Sequence, residues 1–91
     1  MHELSLINNL LSKIDDVVRA NGGSRALVVE VWLGALSHLS PDRFADYFVE
    51  FSRGTVAEDA WLDIEVSEDM NDSNAQQILL RNIEVEIDES E

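Results

Sequence analysis

This chain has no cysteine and a single proline. Without cysteine there can be no disulfide framework and no thiolate zinc site, so any metal must be held by nitrogen and oxygen ligands. Basic residues are scarce: 6 lysines and arginines stand against 19 acidic residues, for a net charge of −13. A surface of that sign repels a phosphate backbone or an anionic bilayer, so neither nucleic acid nor membrane is expected as a partner. No apolar run approaches the roughly 18 residues a membrane span requires, and the N-terminus lacks the basic flank and apolar core of a signal peptide; the expected location is the cytoplasm. A glycine-rich phosphate loop and a serine–histidine spacing of note are also missing, and an enzyme is not expected.

What is present is 91 residues with 45% apolar content, enough for one compact domain over 1–91 without covalent staples. Leu4, Ile7, Leu10, Leu11, Ile14, Val17 and Val18 recur at three- and four-residue steps, the stripe of an amphipathic helix that Gly22 and Gly23 end. In RALVVEVWLG, Leu27, Val29, Val31 and Leu33 alternate with Val28, Glu30 and Trp32, which predicts a strand with the first set inward. Ser40 is placed to cap a second helix with Pro41 at its first position and Asp42 in its first turn, and Gly54 supplies a left-handed stop. Phe44, Ala45, Phe48 and Phe51 form that helix's apolar stripe. AWLDIEV then alternates as a second strand, and ILLRNIEVEI as a third with Ile83, Val85 and Ile87 on one face. The stretch between them, 67–77, is polar and without period, and reads as an exposed connection.

The order helix, strand, helix, strand, strand predicts an α+β, two-layer sandwich: a three-stranded mixed sheet with both helices on one face. The first two strands, joined through a helix, are expected to run parallel. The outer face would carry Glu30, Asp63, Glu65, Glu84 and Glu86 with Trp32 and Trp61, chiefly as a solvated surface.

The N-terminus reads MHELS. Because His2 is large, Met1 is expected to be retained, which puts the α-amine beside an imidazole. A metal held by the Met1 amine and the His2 amide closes a five-membered ring, and the His2 imidazole closes a six-membered one; Glu3 can add its amide or carboxylate. Such a nitrogen-rich, near-planar set suits Ni(II) or Cu(II) better than Mg²⁺ or Ca²⁺. From spacing alone, a ligand set and an idle, frayed end both remain open. His38, the second histidine, is either an extra ligand or a solvent-exposed turn residue.

Taken in order, MHELSL, VEVWLGALSHLSPDRFADYF, GTVAEDAWLDIEV and RNIEVE resemble the HypA/HybF family of nickel metallochaperones for hydrogenase maturation, over nearly the whole chain. The resemblance implies a non-enzymatic module that carries Ni(II) on Met1, His2 and Glu3, with His2 the essential ligand. It further implies docking to a HypB-type GTPase and delivery to the large subunit of a nickel–iron hydrogenase, or toward urease. Members ordinarily carry a zinc-binding insert with two CxxC pairs between the last two strands; here that place holds only the short connection 67–77, so no structural zinc is expected. A metal-free adaptor that keeps the fold is the alternative, and the protein is expected as a monomer or a strand-exchanged homodimer.

Overall fold

The computed structural model describes residues 2–37 and 39–87, and their side chains from Leu4 onward. Helix α1 (His2–Ala20) leads into strand β1 (Gly23–Leu33), followed by α2 (Pro41–Phe51), β2 (Trp61–Val66) and β3 (Ile78–Ile87). β1 is central in the order β2-β1-β3, parallel to β2 and antiparallel to β3. The predicted α+β architecture and mixed sheet are therefore what the chain adopts. Among the described residues no helix is long and apolar enough to cross a membrane.

α1 buries Ile7, Leu10, Leu11, Ile14 and Val18, the narrow stripe that 3.6-residue periodicity brings to one side. Leu4 and Val17, predicted in that stripe, lie at its margins and stay exposed. Asn21 and Gly22, with Gly22 at φ +69°, turn the chain into β1. Gly23 leaves no room for a side chain, because a Cβ there would fall on Val85. α2 begins as its sequence foretells: the Ser40 hydroxyl accepts from the Arg43 N–H at 3.2 Å, with Pro41 behind it. It ends at Phe51 with the Ser52 N–H bonded to the Phe48 carbonyl, so Gly54, at φ +78°, falls beyond the cap and shapes the following turn instead. Phe44 and Phe48 fill the core, each worth about 1.5–3 kcal/mol of apolar burial. Phe51 is exposed and instead tilts against Tyr47, 6.1 Å between ring centroids.

β1 departs from simple alternation. Between Ala26 and Val28 it advances two residues while β3 advances one, which leaves Leu27 as the extra residue of a β-bulge. The bulge resets the phase: Ala26 is buried and Leu27 is exposed, the reverse of what alternation predicts. Val29, Val31 and Leu33 then point inward as expected. A second irregularity, on β3, makes Arg81 the extra residue between the pairs Glu30/Asn82 and Val31/Leu80.

Candidate metal centre and its surroundings

His2 and Glu3 open α1, while Met1, the side chains of His2 and Glu3, and His38 lie outside the described residues. A helix that starts at His2 leaves the N–H groups of its first turn without intrahelical acceptors. Those nitrogens are the ones a terminal chelate would use. Behind them Leu4 and Ser5 are exposed and Leu6 is half-buried, and among the residues whose side chains are described Ile7 is the first that is buried. Among the described residues no group of three histidine, aspartate or glutamate side chains is placed to hold a metal ion.

Three short motifs inside the family-like segments, GTVAE, SPD and GALS, have structural roles. In GTVAE, the Thr55 hydroxyl donates to the Ser52 carbonyl at 2.6 Å and accepts from the Ala57 N–H at 3.1 Å. The Gly54 N–H meets the Glu58 carboxylate at 3.3 Å. That turn buries Ala57 and presents the Val56 carbonyl to the Ala26 N–H at 2.8 Å, fastening it to β1. SPD is the cap of α2. In GALS, a Cβ on Gly34 would collide with the Ala75 carbonyl, because the connection 67–77 folds back onto this turn.

The connection therefore differs from its predicted exposed character. Gly34 N–H donates to the Gln77 carbonyl at 2.9 Å and Leu36 N–H to the Ala75 carbonyl at 2.7 Å, and Ala75 is buried. Its polar residues act as local turn formers: the Asp69 and Asp72 carboxylates accept from the Asn71 and Asn74 N–H groups at 2.9 and 2.7 Å. Residues 68–71, Ser73, Gln76 and Gln77 are exposed.

The outer face of the sheet is also less uniform than predicted. Trp61 is 73% exposed, as expected, but Trp32 is only 7% exposed. The Arg81 guanidinium lies 5.9 Å from the Trp32 ring centroid and 3.9 Å from the Glu65 carboxylate, spanning β1 from one side to the other. Arg25 is joined to Glu86 at 2.7 Å and Arg19 to Asp15 at 2.7 Å. The Asp15 hydrogen bond raises the Arg19 pKa above its ordinary value. Beside α1, a groove of about 650 Å³ is lined by Lys13, Asp16, Trp32, Asp72 and Arg81 among others.

The comparisons with known proteins bear on the terminal site. The family model described as hydrogenase/urease nickel incorporation, metallochaperone, HypA matches residues 1–87. The hydrogenase maturation factor HypA of Methylocella silvestris is 39% identical over 66 residues, 72% of this chain and 58% of that protein. The factor of the same name from Aquifex aeolicus is also 39% identical over 66 residues, 72% of this chain and 57% of that protein. The chain thus matches a little under three-fifths of the length of these curated relatives. The solution structure of the Ni metallochaperone HypA from Helicobacter pylori shares the fold, with a TM-score of 0.79 at 19% identity, covering 97% of this chain and 100% of that one.

Proposed function

This chain belongs to the HypA family of hydrogenase and urease nickel-incorporation proteins, and we propose that it is a nickel carrier whose cargo is bound by Met1, His2 and Glu3. The observation that carries the reading is that the family match begins at residue 1, so the histidine and glutamate directly behind the methionine fall inside it.

The start of α1 is suited to this task. Chelate rings closed through successive backbone nitrogens need ψ near 0, and a helical ψ of about −42° lies much closer to that than an extended chain does. First-turn amides give up no intrahelical hydrogen bond when they lose a proton to the metal. The partial positive charge of a helix N-terminus opposes a dication, and each deprotonated amide offsets it with a negative charge. Imidazole and amide nitrogens at an exposed end hold Ni(II) firmly yet leave it open to a receiving site.

On this reading the protein works in the cytoplasm with a HypB-type GTPase and the large subunit of a nickel–iron hydrogenase, the partners the resemblance implies. The connection 67–77 stands where longer relatives carry their zinc-binding insert. In support, one aligned stretch takes up 72% of this chain but only 58% of its relative.

Calorimetric titration of tag-free protein with nickel tests the proposal. Extending the N-terminus should abolish binding as thoroughly as His2→Ala does, with circular dichroism confirming that both variants are folded. If the extended form binds nickel as well as the free one, the terminal chelate is wrong; if the tag-free protein binds none, the metal-free adaptor is the better account.

A further inference from the structure

The two edges of the sheet are finished differently. β3 is flanked by α1, and its pairing with β1 is broken by three register shifts, one of them at Arg81 on β3 itself. β2 pairs with β1 through six consecutive residues with no register shift, from Val28↔Trp61 to Leu33↔Val66, and among the described residues no strand lies on its other side in the sheet. Proteins usually blunt such an edge with bulges, coverage or charge, because it offers a row of backbone donors and acceptors to any passing strand. Here the pairing is unbroken and the edge is marked by charge, at the exposed Asp63 and Glu65; at its start stands Trp61 at 73% exposure, with Val66 exposed at its end.

From this we infer that β2 is a docking edge for an extended, basic peptide segment of another protein, added to the sheet as a fourth strand. Backbone hydrogen bonds would supply the attachment and alternate side chains the specificity. On the inner face the incoming residues extend the partly buried row of Leu62 and Ile64, which calls for apolar side chains. On the outer face they stand beside Trp61, Asp63 and Glu65, and Asp63 is in register with Glu30 one strand further in. Cationic side chains suit that row, against the carboxylates and over the exposed indole.

A second copy of this chain is a poorer occupant. Pairing β2 antiparallel with itself brings Asp63 and Glu65 of both copies together, and each copy carries a net charge of −13. This inference is independent of nickel, since it uses none of the N-terminal residues.

The probe is a short, end-blocked peptide alternating lysine with valine, titrated into isotope-labelled full-length protein at low salt. The expected result is that backbone signals of Trp61–Val66 shift and their amides gain exchange protection. Asp63→Lys should weaken binding by about tenfold or more, and the milder Asp63→Asn should weaken it less. Methylating alternate peptide nitrogens on the side that would face β2 should abolish binding. A glutamate–valine peptide should not bind. The inference is overturned if the methylated peptide binds equally well, which would mean charge attraction without strand addition. It is also overturned if the shifts fall on β3, if nothing binds, or if sedimentation shows copies of the chain pairing through β2.

Discussion

Gly34 packs its bare Cα against the backbone of Ala75, and no side chain can be built between them. The contact locks the turn after β1 to the end of the β2–β3 connection, together with the hydrogen bond from Leu36 to Ala75. Gly34→Ala should therefore cost about 1–3 kcal/mol, as overpacking of a close contact does. Urea denaturation followed by circular dichroism measures it; an unchanged midpoint would show that the two segments part without loss.

The same contact divides the connection into two functional halves. Inserting a few Gly-Ser residues beside Met70, where the chain is exposed, should cost only about 0.6 kcal/mol per doubling of loop length. The same insertion between Ala75 and Gln77 should be far more damaging, because it displaces the groups bonded to Gly34 and Leu36. Equal losses at the two places would contradict the docked arrangement.

Arg81 shields Trp32. In a Trp61→Phe background, which leaves one indole to observe, Arg81→Ala should shift the emission of Trp32 to longer wavelength as water reaches the ring. Stability should fall by about 0.5–1 kcal/mol, since the stacking is at the surface and the 3.9 Å approach to Glu65 adds little. An unmoved emission maximum would mean the indole is covered by something else.

Nickel binding should rise with pH. The free imidazole binds the metal and its protonated form does not, so affinity is low below the ordinary histidine pKa of about 6.5 and climbs above it, steepened by each amide proton released. Titrations at a series of pH values, with proton release measured in buffers of different ionisation enthalpy, read this directly. A pH-independent affinity would point to carboxylates elsewhere on this acidic surface.

Zinc should be irrelevant to folding. With no cysteine and two histidines the chain cannot assemble the four-ligand structural site that the two CxxC pairs of its relatives provide. Its melting temperature in EDTA should match that in buffer, and stoichiometric zinc in purified protein would refute this.

Periodicity was sufficient for the five elements, because burial of Ile7, Ile14, Val29, Leu33, Phe44 and Phe48 follows from helix and strand geometry alone. It misplaced Leu27 because a bulge is set by how two strands are matched, and one strand's pattern says nothing about its partner's count. Trp32 reads as solvent-facing for a similar reason: the neighbours around its ring, Arg81 among them, are remote in sequence. The connection looked passive because aspartate, asparagine and serine mark both loose loops and tight turns. The proposed terminal ligands are legible only as residue types. The three neighbouring motifs could not be told from chemistry until their hydrogen bonds showed them to be caps and clasps.

The placing of the proposed ligands side by side in the sequence has a consequence for how this protein is assayed. Met1, His2 and Glu3 are contiguous in the chain, so the unfolded polypeptide keeps the same chelating atoms in the same order. A ligand that binds folded and unfolded forms alike leaves the equilibrium between them where it was. Only the preorganisation that the helical ψ gives the folded form would then appear as stabilisation, so saturating nickel would raise the melting temperature by less than its affinity implies, and a thermal-shift screen would understate a tight carrier.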